Sequence, residues 1–85
     1  MAQTVTEVLD AATNSVTLIN AVNGGSYDVG RMTQEEINEM VQRNVDHLST
    51  ILSYDSSMTE VPNIVDASED KSSYTTAITT GKAYI

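Results

Sequence analysis

The 85-residue sequence predicts one small, mainly α-helical domain. Two Thr-x-x-Glu sequences, beginning at Thr4 and Thr33, are capping boxes of the kind that starts a helix. Each is followed by apolar residues at intervals of three and four, the spacing of one helix face. A third segment has acidic residues at its start and a lysine at its end, as the helix dipole favours. We therefore predict two or three helices joined by polar linkers, at about 5–22, 34–54 and 69–81.

The first helix is predicted from the capping box that Thr4 forms with Glu7. Its apolar stripe consists of Val5, Val8, Leu9, Ala12, Val16, Ile19 and Val22. The alternative is a shorter helix followed by a β-hairpin at 16–29, because apolar residues alternate there and Asn23-Gly24 is a common hairpin turn. That hairpin would make the fold α+β. We favour the helix because its stripe has no phase break.

The second helix, at 34–54, has the clearest pattern in the chain. Thr33 and Glu36 form its capping box, and Glu39 and Arg43 form an i,i+4 pair on the opposite, solvated face. The apolar stripe continues for about four turns. Its members are Ile37, Met40, Val41, Val45, Leu48, Ile51 and Leu52.

The third helix is predicted from charge order as well as from periodicity. Ser68 is its predicted N-cap, Glu69 and Asp70 lie in the first turn, and Lys82 lies at the end. Four threonines in this segment are β-branched and lower its helix propensity. An extended arm at 74–85 that adds to a neighbouring sheet is therefore the alternative.

Two segments without helical periodicity, 26–32 and 55–67, are predicted to be connectors. Ser56-Ser57 and Pro62 punctuate the second one. Two such connectors between three periodic segments indicate a single domain with three elements.

The composition predicts a thin hydrophobic core. Val, Ile, Leu and Phe make up about 22% of the chain, close to the roughly 20% below which chains are usually disordered. Phe, Trp and Cys are absent, so neither large rings nor disulfides compensate. We therefore expect a marginally stable monomer or a subunit that completes its core against a partner.

The charge balance excludes several classes of partner. Twelve acidic residues against four basic ones give a net charge of −8, which leaves few cations to neutralise nucleic-acid phosphates. We expect no direct binding of nucleic acid.

The start of the chain has no basic and apolar leader, and no run of about 18 apolar residues occurs. We therefore expect neither a signal peptide nor association with a membrane.

No motif in the sequence indicates catalysis or metal binding. His47 is the only histidine and has no cysteine or second histidine to pair with. Ser26 lies outside any G-x-S-x-G sequence, and the glycines before it lack the P-loop pattern. Asp66, Glu69 and Asp70 lack the spacing of a calcium loop. We expect no enzyme activity, no cofactor and no metal.

The remaining classes are protein-binding ones. The main prediction is a non-catalytic structural or adaptor subunit of a larger protein assembly that binds copies of itself or a larger protein. The alternative is an acidic inhibitor that mimics nucleic acid in the basic cleft of an enzyme, although the acidic residues are scattered along the chain. The residues predicted to contact a partner are Met40, Leu48, Leu52, Tyr74, Ile78, Tyr84 and Ile85.

The hydroxyl-rich, lysine-poor run Ser72–Gly81 is typical of the texture of the whole chain. In this composition the sequence resembles small accessory proteins of tailed-bacteriophage virions, which decorate capsids or join head and tail parts. The resemblance implies a symmetric assembly with a capsid or tail protein as partner. It also implies a location in the virion after assembly in the host cytoplasm. It rests on composition and assigns no functional residue.

Overall fold

Three α-helices make up most of the part of the chain that is described, residues 3–85 of a computed structural model. α1 spans Val5–Gly24, α2 spans Gln34–Leu52 and α3 spans Ser72–Tyr84. The predicted mainly α-helical fold of two or three helices is confirmed, and the described residues form three. The alternative of an extended arm at 74–85 is wrong, because this segment forms the body of α3.

The Asn-Gly-Gly sequence ends α1 and does not turn a hairpin. The helix continues to Gly24, slightly beyond the predicted end, and Gly25 then adopts the left-handed conformation with φ 80°. Its N–H donates to carbonyl groups of the last turn of α1. The alternative prediction of a hairpin at 16–29 is wrong. Ile19 and Val22 continue the buried face of α1, so the apolar residues of this segment follow helical spacing.

α2 starts at the predicted capping box. The Thr33 hydroxyl accepts the Glu36 N–H at 3.1 Å, and the Glu36 carboxylate accepts the Thr33 N–H at 3.0 Å. The hydrogen bond from the Thr33 N–H favours the charged carboxylate, and the Thr33 side chain contributes a smaller effect, so the pKa of Glu36 is lowered below its usual value. At the other end, α2 stops at Leu52 and Ser53 is its C-cap, so the predicted range of 34–54 is slightly too long.

α3 begins later than the sequence predicts. Its N-cap is Lys71, which makes no side-chain capping hydrogen bond. The prediction that Ser68 caps the helix and that Glu69 and Asp70 lie in its first turn is therefore wrong. Asp70 lies outside the helix, where its Oδ1 accepts the Ser72 N–H at 2.9 Å, and this bond lowers the pKa of Asp70. The Lys71 ammonium donates to a linker carbonyl at 2.7 Å. These loop contacts determine where α3 starts.

The three helices pack on one another in pairs. The Tyr74 hydroxyl at the start of α3 donates to the Leu9 carbonyl near the start of α1, at 3.4 Å. The Tyr84 hydroxyl at the end of α3 accepts from Gln34 Nε2 at the start of α2, at 3.0 Å. α3 therefore runs parallel to α1 and antiparallel to α2. The bundle is elongated and measures 40 × 24 × 17 Å.

One apolar core lies between the helices, and aliphatic side chains dominate it. Leu48 and Val41 of α2 have no exposed surface. The residues buried in this core are Val8, Leu9, Ala12, Ile19, Val22, Ile37, Val41, Val45, Leu48, Ile51, Ile64, Tyr74 and Ala77. The apolar stripes predicted for the first two helices supply most of them, so helical periodicity identifies the core correctly.

Ile64 is the one core residue that comes from a linker. It is 0% exposed, although the sequence predicts a polar connector at 55–67. The Tyr54 carbonyl accepts both the Ile64 N–H at 2.8 Å and the Val65 N–H at 2.9 Å. The long linker is therefore attached to the end of α2 and inserts one aliphatic side chain into the core.

Gly81 lets α3 approach α2 closely. A Cβ atom at this position would lie 2.5 Å from Cγ2 of Val45, and 3.4 Å and 3.5 Å from methyl groups of Val41 and Ile19. Real Cβ contacts are never this short, so only glycine fits without displacement of a neighbour. The buried stripe of α3 thus consists of Tyr74, Ala77 and Gly81, which places its backbone against the other two helices.

Candidate functional site

A polar cluster joins α1 to α2 in the middle of the bundle. Ser15, which is 4% exposed, is the one buried polar residue among residues 3–85. Its hydroxyl lies 2.9 Å from Oδ1 of Asn44 and 3.0 Å from Nδ1 of His47. The sequence indicates neither contact, because the partners lie about thirty positions from Ser15 and no motif connects them.

The direction of each hydrogen bond in this cluster follows from Asn44. Its Nδ2 donates to the Met40 carbonyl at 2.8 Å, so its Oδ1 must accept from Ser15. A hydroxyl has only one proton to donate. Ser15 therefore accepts its second hydrogen bond from Nδ1–H of His47.

This arrangement determines what the cluster can do chemically. A histidine that acts as a general base must accept the proton of the hydroxyl beside it. Here His47 donates to Ser15, and the Ser15 proton points to Asn44. The three side chains thus satisfy one another across the helix interface and hold α1 and α2 in one register.

Replacing Ser15 by Ala is expected to lower the free energy of unfolding by about 1–3 kcal/mol, because Asn44 and His47 lose their shared partner while Asn44 stays half-buried. The matched control is Ser49→Ala on the exposed side of α2, for which we expect a change within about 0.5 kcal/mol. Urea denaturation followed by circular dichroism measures both. Equal stabilities of the two variants would contradict an energetic role for the cluster.

Two of the residues predicted to contact a partner belong to the core of the chain itself. Leu48 is 0% exposed and Tyr74 is 8% exposed. The Tyr74 hydroxyl also lies 3.3 Å from the Thr13 hydroxyl. A partner cannot reach either side chain while the bundle is folded, so Leu48 and Tyr74 are core residues and not contact residues.

The other predicted contact residues differ in exposure. Met40, Leu52, Ile78 and Tyr84 are half-buried and pack against the core. Ile85, at 47% exposed, is one of the most exposed large apolar residues. The structure therefore leaves Ile85, with the outward edges of Ile78 and Tyr84, as the predicted contact residues that α3 and its end can offer to another molecule.

The exposed surface of α3 has no acidic residue. Lys82 is its single charged residue, and none of the twelve acidic residues of the chain lies in α3. We call this surface the α3 outer face. It consists of Ser72, Ser73, Thr75, Thr76, Thr79, Lys82 and Ala83. It lies opposite the buried stripe of the helix and shows no charged group over most of its length.

Two hydroxyl groups of the α3 outer face already have partners within the helix. Thr75 Oγ1 donates to the Ser72 carbonyl at 3.0 Å, and Thr79 Oγ1 donates to the Thr75 carbonyl at 3.2 Å. Their protons would stay bonded if another molecule covered this surface. The α3 outer face can therefore lose its water without leaving these donors unpaired.

The acidic residues considered for metal binding serve as loop partners instead. The Asp66 carboxylate accepts from Nδ2 of Asn63 at 2.9 Å, and Asp70 accepts from the start of α3. Within residues 3–85 no three Asp, Glu or His side chains are grouped closely enough to hold a metal ion.

Comparison with protein-family models, curated proteins and solved structures gave no match. Among the described residues, no helix has the length and apolar character that spanning a membrane requires.

Proposed function

We propose that this protein is a non-catalytic structural or adaptor subunit of a larger protein assembly and that the α3 outer face is its binding surface. The observation that carries the proposal is the absence of acidic residues from α3 in a chain of net charge −8. Every other element carries at least one carboxylate. Charge is thus segregated away from one helix.

Segregation of charge matters because a charged group loses hydration when a protein covers it. A carboxylate that is buried without a partner is strongly disfavoured, and the centres of protein interfaces are accordingly depleted in charged residues. The α3 outer face would bury only one charge, that of Lys82 near its end. It is therefore a surface that another protein can cover with little loss of hydration of charged groups.

Short side chains favour binding by the same surface. Each flexible side chain that is immobilised at an interface opposes association by about 0.5–1.5 kcal/mol. Serine, threonine and alanine have little rotamer freedom to lose, and they make up the α3 outer face apart from Lys82. Ile85, exposed just beyond the helix, adds an apolar contact at one edge.

The kind of assembly follows from the resemblance of the composition to accessory proteins of tailed-bacteriophage virions. On that basis the proposed assembly is a virion, in which the chain binds copies of itself or a larger capsid or tail protein, and the proposed location is the virion after assembly in the host cytoplasm. The thin core of the chain, which lacks Phe and Trp, supports a subunit that gains stability on assembly.

Site-specific photo-crosslinking tests the proposal. A benzophenone side chain placed at Thr79, on the α3 outer face, is expected to form a covalent adduct with one defined protein in the native assembly. The matched control places the same group at Thr50, on the exposed side of α2. Mass spectrometry of the crosslinked peptides identifies the partner. No adduct from position 79, or equal yields from both positions, would refute the assigned surface.

One observation favours the second candidate function, an acidic inhibitor. Glu35, Glu39 and Asp46 share the exposed side of α2, at intervals of four and seven residues. This row extends over about 16 Å of the helix, although Arg43 interrupts its charge. If the inhibitor function is correct, the purified chain inhibits a nuclease or polymerase, and Glu35→Gln with Glu39→Gln weakens the inhibition.

A further inference from the structure

We propose that the partner of the α3 outer face is a second copy of this chain, docked with the two α3 helices antiparallel about a two-fold axis. This inference rests on the proposed function, because it uses the same surface and names its occupant. The distribution of charge along α3 and around the two ends of this helix supports the inference.

The two ends of α3 carry opposite charges. Glu69 and Asp70 are exposed just before the helix, where the Lys71 ammonium is bound to the Ala67 and Glu69 carbonyls, so this end has a net negative charge. Lys82 is exposed in the last turn of the helix. The rise of a helix places Lys82 about 15 Å from Ser72 along the axis. In an antiparallel pair, the Lys82 ammonium of each copy therefore lies beside the acidic end of the other copy.

A two-fold axis makes every such contact twice. Glu69 of the first copy meets Lys82 of the second, and the same pair recurs at the other end of the interface. A parallel arrangement would instead place lysine against lysine and carboxylate against carboxylate. The helix dipoles are also opposed in the antiparallel arrangement, which favours it further.

The surface of α2 is less suited to self-association. Two molecules of net charge −8 repel each other, and contact through α2 would bring four carboxylates of each copy, with Arg43 as the one cation, into the interface. The α3 outer face brings no carboxylate to the centre of the interface. Self-association through the α3 outer face therefore has one favourable orientation, the antiparallel one.

The size of the surface determines the expected affinity. α3 has 13 residues and is about 20 Å long, so two such faces bury less than the roughly 800 Å² per partner of a standard interface. The free chain should therefore dimerise weakly, and the measurement must extend to high concentration.

Sedimentation velocity from about 10 μM to about 1 mM at low salt tests the proposal, since weak interfaces of this size have dissociation constants in that range. Wild type is expected to shift from monomer towards dimer. Lys82→Glu is expected to raise the dissociation constant by at least about tenfold, because two attractive contacts become repulsive. The matched control is Arg43→Glu on α2, which makes the same change in net charge away from the α3 outer face and should leave dimerisation nearly unchanged.

A charge exchange separates pairing from general repulsion. The double variant Glu69→Lys with Lys82→Glu restores opposite charges at both ends and should recover the dimer, while circular dichroism verifies that each variant is folded. A wild type that stays monomeric throughout, an equal effect of Arg43→Glu, or no recovery in the double variant would overturn the inference. If the chain is monomeric but position 79 crosslinks to a different protein, the proposed function stands and only the self-association is refuted.

Discussion

Ile64→Ala is expected to lower the free energy of unfolding by about 2–5 kcal/mol, the range for large-to-small substitutions in a core. Ile64 is 0% exposed and is the residue by which the linker 53–71 enters the core. Its truncation leaves a cavity between helices that this small domain cannot fill from elsewhere. Urea denaturation followed by circular dichroism at 222 nm measures the change.

The next residue provides the control for that prediction. Val65 belongs to the same linker and is 48% exposed, so Val65→Ala should change stability by no more than about 0.5 kcal/mol. The Val65 N–H keeps its bond to the Tyr54 carbonyl in this variant. A small effect of Ile64→Ala, equal to that of Val65→Ala, would show that the linker is not anchored in the core.

Gly81→Ala is expected to lower the free energy of unfolding by about 1–3 kcal/mol, as overpacking of a filled core does. Two effects oppose each other at this position. Alanine favours a helix over glycine by about 1 kcal/mol, but its methyl group would lie 2.5 Å from Val45 Cγ2. Val45 is β-branched, 1% exposed and restricted in χ1, so it cannot move aside easily. The steric effect should therefore exceed the gain in propensity.

The same substitution at the end of α1 isolates the propensity effect. A Cβ at Gly24 would have no neighbour within 4 Å, so Gly24→Ala should leave stability unchanged or raise it by up to about 1 kcal/mol. Thermal and urea denaturation of both variants give the comparison. If Gly81→Ala were as stable as Gly24→Ala, α3 would not pack as closely as the structure indicates.

Local signals explain why the starts of α1 and α2 could be predicted. A capping box lies within four residues of sequence, and the hydrogen bonds of Thr4 and Thr33 are those that the pattern implies. The apolar stripes that follow the capping boxes face the core and are also local signals. Their residues recur every three or four positions, so several repeats fit within one helix. Interactions between residues that are close in sequence therefore explain why α1 and α2 could be predicted.

The start of α3 depends on contacts that no local pattern records. Ser68 matches the preference for a cap, but the helix starts at Ser72, where Tyr74 binds the Leu9 carbonyl of α1 from 65 positions away. Burial of Ile64 likewise depends on a partner surface formed by distant residues. An aliphatic residue in a polar linker gives only a faint signal in the sequence.

The candidate site was only partly predictable for the same reason. The contact of Ser15 with His47 joins two helices and follows from no spacing within either one. Leu48 and Tyr74 were predicted to bind a partner, because an apolar stripe has the same pattern whether it faces its own core or another chain. Ile85 differs from these two residues, because its side chain is 47% exposed.

The unequal lengths of the two connections have a consequence for the order of folding. Residues 53–71 form a connection about twice as long as residues 25–33. Each doubling of loop length raises the entropic free energy of closing the loop by only about 0.6 kcal/mol. The effect of connection length on the order of folding is larger. α1 and α2, joined by the shorter connection, can form an antiparallel helix pair before α3 packs on them. In partial opening, α3 should also separate first, and its amide hydrogens should exchange with solvent before those of α1 and α2.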